Sequence, residues 1–120
     1  SCTKSIDRVI DMFPKEQQQQ VRSMLAESLE AVISQTLLPT KDGKGRVPAV
    51  EIMLANAAVR NLIREEKTYQ IPSIIQSSTK EGMQTRDQSL YNLVMNNFVE
   101  RTVAEEVAEN PKLFATGAGF

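Results

Sequence analysis

The sequence has 120 residues, 41% of them hydrophobic and 24% charged, with 14 basic and 15 acidic side chains and a formal net charge of -1. That length suits one soluble domain burying about two-thirds of its unfolded surface, and the balanced charge leaves no global positive field to hold nucleic acid or an anionic membrane. One cysteine and no histidine exclude an internal disulfide and a zinc-type cluster, and no run of 18 apolar residues marks a membrane span.

The lone Cys2 fits a cytoplasmic protein, and the N-terminus lacks the apolar core of a signal peptide. The sequence enters a helical pattern within a few residues and has no initiator Met, so a truncated piece of a longer chain is expected. Ile6, Val9, Ile10 and Phe13 recur at i, i+3, i+4 and i+7, one face of a short helix that Pro14 stops. A second helix carries Val21, Met24, Leu25, Leu29, Val32 and Ile33 on one side, with the Gln17, Gln18, Gln19 and Gln20 run as a solvated segment of its first turns.

The period then changes. Residues 34–40 read as a strand, 41–46 as a glycine-bearing turn and 47–54 as a second strand, together a β-hairpin. Asp42-Gly43 supplies the positive φ of a tight connection. Pro48 belongs at a strand start or edge, since it has no amide hydrogen to donate. Asn56 caps a helix running to Glu66, with Val59, Leu62 and Ile63 on its buried side. Another helix over 71–80 has Pro72 in its first turn and Gly82 as its C′ residue. Thr85 to Gln88 matches a capping box ahead of a helix with Leu90, Leu93, Val94 and Phe98 on its apolar face. Thr102 to Glu105 repeats the signature for a short helix ending before Asn110-Pro111, and the small, glycine-containing tail 113–120 is expected to be loose.

The predicted class is α+β, mostly helical with one hairpin. Its order does not alternate strand and helix as a complete doubly wound domain would. A phosphate-binding loop needs G-x-x-x-x-G-K-[ST], so that backbone amides wrap the phosphates and a lysine reaches them. Gly43-Lys44-Gly45 has the wrong spacing and runs into a strand, so it reads as a turn. Without histidine there is no imidazole base. Glu65-Glu66 and Glu105-Glu106 are neighbours one apart, which diverge on a helix, and Asp7 and Asp11 read as a solvated face. Neither catalytic, cofactor-binding nor metal-ligating residues are predicted.

Ala58, Val59, Arg60, Asn61, Leu62, Ile63, Arg64 and Glu65 form the segment that stands out. Arg60 and Arg64 are i, i+4 and share a face, and Asn61 and Glu65 make a second polar i, i+4 pair beside them. Two guanidiniums on one stripe form a donor surface suited to carboxylates or phosphates. An amphipathic helix with ordinary surface charge explains the same spacing.

The order TKSIDRVIDMFP over 3–14, VRSMLAESLEAVISQTLL over 21–38, the hairpin RVPAVEIML, the AVRNLIRE segment and EGMQTRDQSLYNLV resemble the C-terminal half of PilT-type retraction motors, members of the secretion ATPase superfamily. The likeness runs nearly continuously over 1–94. AVRNLIRE is its most specific element, being near-identical to the family's AIRNLIRE motif, with Val59 in place of Ile, a small volume change. The resemblance implies that 1–112 is the C-terminal part of a RecA-like ATPase domain lacking its phosphate-binding loop. It also implies a parent protein that is a cytoplasmic, homo-hexameric ring using ATP and Mg²⁺ to disassemble type IV pili for twitching motility, at the inner face of the membrane through the pilus machinery. The phosphate-binding loop, acidic motifs and histidine box would lie N-terminal to Ser1. The piece alone is then expected to bind no ATP or Mg²⁺, to hydrolyse nothing, and to self-associate through apolar surface its parent buries. Two alternatives remain: a pilus-extension or type II secretion ATPase of the same fold, and a stand-alone helical interaction module.

Overall fold

A computed structural model describes residues 1–115. The elements run α1 (Cys2–Asp11), α2 (Lys15–Ser28), β1 (Ala31–Pro39), β2 (Arg46–Leu54), α3 (Ala57–Arg64), α4 (Ile71–Ser77), α5 (Arg86–Met95), α6 (Arg101–Val107) and α7 (Lys112–Ala115), with 3-10 turns on either side of α4. The chain divides into two compact units. One comprises Ser1–Ser34 and Ile52–Gln84, the other Gln35–Glu51 and Thr85–Phe120.

The first unit packs Cys2, Ile6 and Ile10 of α1, Ala26 of α2, Met53 of β2, Val59 and Ile63 of α3, Ile71 and Ile75 of α4, and Met83 into one core. Each fully buried Ile, Val or Met side chain contributes roughly 1.5–3 kcal/mol relative to exposure. Val9 and Phe13, expected on the inner face of α1, are half-exposed. The helix ends at Asp11, so Phe13 lies past the stripe that Ile6 and Ile10 define. Likewise α2 stops at Ser28, with Leu29 already extended, so Val32 and Ile33 belong to β1 and not to the helix. Two consecutive β-branched residues favour the strand, and alternating burial along β1 leaves Ile33 outward. On β2, Ile52 exchanges backbone hydrogen bonds with Gln84 in an isolated antiparallel bridge.

The second unit has its own core of Leu38, Ala49, Leu90, Val99, Ala104 and Phe114. The capping box at Thr85 forms as expected, with the Thr85 hydroxyl accepting from the Gln88 amide at 3.1 Å and the Gln88 side chain accepting from the Thr85 amide at 2.9 Å. At its other end α5 closes with Asn97 left-handed (φ 62), and Phe98, expected on the buried face, is exposed past that turn. The second expected box does not form. Glu100, following the buried Val99, is the N-cap of α6, and Thr102 falls inside its first turn. Where a loose tail was expected, Lys112–Ala115 are helical and Phe114 is buried, its ring centroid 6.4 Å from that of Tyr91. Residues 116–120 of that tail lie outside the described residues.

The two strands pair as an antiparallel hairpin, with the Thr40 amide donating to the Gly45 carbonyl at 2.9 Å. Gly43 has φ 73, where a side chain would be strained. The Asp42 carboxylate accepts from the Thr40 hydroxyl at 2.7 Å and from the Lys44 amide at 2.9 Å. Those two bonds, the Thr40 hydroxyl first, hold the Asp42 carboxyl below the usual carboxylate range.

Candidate functional site: the α2–α3 helix pair

Helix α3 begins where the sequence indicates. The Asn56 side-chain oxygen accepts from the Val59 amide at 2.9 Å, and the Asn56 side-chain nitrogen donates on to the Glu81 carboxylate at 3.4 Å. Val59 and Ile63 are fully buried, while Leu62 is only partly buried at the core's margin. Four residues apart, Val59 and Ile63 press α3 against α2, the most extensive helix pairing among the described residues.

That packing decides where the polar residues go. The Arg60 guanidinium turns towards α2 and donates to the carbonyls of Ala26 and Glu27, the latter at 3.2 Å. The last turn of α2 contains no basic residue, and its terminal carbonyls lack intrahelical partners. A guanidinium satisfies them and complements the negative end of the helix dipole. Arg64 does something different: its Nη1 donates to the Asn61 side-chain oxygen at 3.0 Å. Asn61 is exposed and Arg64 half-exposed, so this pair faces solvent.

The expected two-guanidinium donor surface is therefore not assembled, because Arg60 is committed to the end of α2. Nor does Asn61 pair with Glu65. Asn61 takes Arg64 one turn on, and Glu65, the C-cap of α3, pairs with Lys67 at 3.7 Å between two exposed side chains. Ala58 lies on the exposed side of the helix.

Three residues outside the predicted motif belong to the arrangement. Gln19 donates from α2 to the Arg64 carbonyl at 3.2 Å, and Arg22, one turn further along α2, has Nε 3.6 Å from a Glu66 carboxylate oxygen. Glu66 is left-handed, with φ 61. Its amide and that of Lys67 donate back to Ile63 and Leu62 at 3.4 and 2.8 Å, closing α3 with a Schellman turn. Gln19 and Arg22 at i, i+3 were the available signal, but they sat among residues read as solvated helix.

The hairpin tip does not fit a nucleotide phosphate. The Lys44 amide points to the Asp42 carboxylate and the Gly45 amide to the Thr40 hydroxyl at 3.1 Å. An anionic side chain already occupies the place that a cradle would offer to phosphate.

No family model matches the chain. It is 53% identical over 109 residues to a twitching motility protein of Neisseria gonorrhoeae, covering 91% of this chain and 29% of that protein. It is 52% identical over 114 residues to the type IV pilus retraction ATPase PilT of Pseudomonas aeruginosa, covering 95% of this chain and 33% of that one. The crystal structure of the pilus retraction motor PilT with bound ADP superposes with a TM-score of 0.77 at 42% identity, over 92% of this chain and 30% of that one. The ATPase DotB of Legionella pneumophila gives 0.69 at 19% identity, over 98% of this chain and 30% of that one, a likeness of fold alone. The mostly helical architecture with one hairpin is thus that of the C-terminal part of a PilT- or DotB-type ATPase. Within that class, the chain matches PilT-type twitching motility proteins over nearly its whole length. It spans about a third of the length of these relatives.

Proposed function

We propose that this chain is the force-relaying part of a motor that retracts type IV pili, coupling ATP hydrolysis elsewhere in the longer protein to pilus disassembly. The observation that carries the reading is the division of labour within α3: Arg60 fastens the helix to α2 while Arg64 and Asn61 stay on its open face. A helix held firmly on one side and presenting a guanidinium on the other can pass a shift between neighbouring domains to a partner surface. ATP and Mg²⁺ would be held by residues outside this chain, and the ADP in the PilT structure supports nucleotide use by the longer protein. The working assembly in this reading is a homo-hexameric ring on the cytoplasmic face of the inner membrane, engaged with the pilus machinery. None of the helices described is long and apolar enough to cross a membrane.

By itself the chain should neither bind nor hydrolyse ATP. Its exposed Met12, Ile33 and Tyr69, each more than 60% accessible, favour self-association at high concentration. A strain lacking the gene separates retraction from extension. Surface pili without twitching support the proposal, whereas loss of pili would indicate an extension motor.

A further inference from the structure

Glu66 occupies the left-handed position after α3, where glycine is the usual residue because a side chain there crowds the backbone. The turn alone gives no reason for glutamate. Its carboxylate, however, lies 3.6 Å from Nε of Arg22, whose side chain is 13% exposed and whose Nε is buried without a hydrogen-bond partner. A guanidinium removed from water needs a counter-charge, and Glu66 is the acidic group paired with it. Gln19 reinforces the same point by donating to the Arg64 carbonyl. In the opposite sense, Arg60 reaches from the middle of α3 to the carbonyls at the end of α2. Each helix therefore holds the other's C-terminal end.

We propose that Glu66 is a positioning residue which, with Arg22, forms the second arm of a reciprocal clasp that makes α2 and α3 one stiff lever. The left-handed backbone is tolerated because it delivers the carboxylate to Arg22. The inference rests on the relay reading and names what keeps the relay stiff.

Three substitutions test it. Glu66→Gly removes the carboxylate and the backbone strain together, Glu66→Gln removes only the charge, and Glu66→Asp keeps a carboxylate on a shorter stem. In this chain, hydrogen exchange at the amides of residues 62–67 should quicken by up to about fivefold in the Gln variant, the factor matching a typical ion pair. The Asp variant should recover part of the protection. Added salt should quicken exchange in the unsubstituted chain and leave the Gln variant unchanged. Meanwhile Glu66→Gly should melt about 2–4 °C higher, because glycine relieves the strain. In the full-length motor the Gly variant should keep its ATP turnover and retract pili more slowly. Unchanged exchange in the Gln variant overturns the clasp. Faster exchange with unchanged retraction overturns its role in the motor. If the unsubstituted motor itself drives no retraction, the relay reading fails, and the exchange data still decide whether the clasp exists.

Discussion

The Arg60 guanidinium donates to the carbonyl of Ala26, 34 residues earlier in the chain and in the last turn of α2. This contact turns a motif arginine into a cap for another helix and leaves Arg64 as the guanidinium of the motif that faces outward. Arg60→Ala should lower stability by about 1.5–3 kcal/mol, the usual range for hydrogen bonds to a charged group. Lysine at 60 keeps the charge but loses the planar fork, so it should fall between. Urea unfolding with an unchanged slope and a lowered midpoint in the alanine variant is the expected result.

Ile63 and Leu62 are adjacent in sequence but differ in burial, Ile63 being fully enclosed and Leu62 marginal. Ile63→Ala should cost about 2–5 kcal/mol, and Leu62→Ala should fall near or below the lower end of that range because its site can collapse or fill with water. Thermal unfolding of the two variants side by side measures the gap.

Asp87 is buried near the start of α5, and its two carboxylate oxygens accept from the Glu109 and Asn110 amides, each at 2.9 Å. Asp87→Ala leaves two backbone donors unsatisfied, at about 1–3 kcal/mol each if they stay buried. Expected outcomes are a marked loss of stability and faster proteolysis within 109–115. Asn at 87 retains one carbonyl acceptor and should lose less.

Asp42 has its carboxyl held below the usual range by the Thr40 hydroxyl and the Lys44 amide. A carboxyl whose folded pKa lies below its unfolded pKa stabilises the fold above the unfolded value, and that contribution is lost as pH falls through the folded one. Asp42→Asn should thus flatten the melting temperature against pH below about pH 4, the ordinary carboxylate range, and leave neutral-pH motor function intact. Melting curves across the acid range for both proteins check the sign.

Much of the architecture was legible because local chemistry and tertiary structure agree. Asn56, Thr85 with Gln88, and the Asp42-Gly43 turn sit where their side chains or backbones require. The end of α2 was not legible, since Ser28 and Leu29 carry no glycine or proline stop and the helical spacing of Val32 and Ile33 continues into the strand. The site divided in the same way. Period 3.6 placed Val59 and Ile63 inward, but the direction a long arginine takes depends on what lies across the interface. No spacing within 58–65 could announce that the carbonyls of Ala26 and Glu27 were waiting for Arg60, or that Glu66 answers Arg22.

In the proposed relay, Arg64 on the open face of α3 passes motion on and has no part in hydrolysis. Purified full-length motor carrying Arg64→Ala should be compared with the unsubstituted protein for melting temperature, ATP turnover and restoration of pilus retraction in a deletion strain. Near-normal melting and turnover with retraction severely reduced are the expected result. Retraction that falls only in proportion to the amount of folded protein would contradict it.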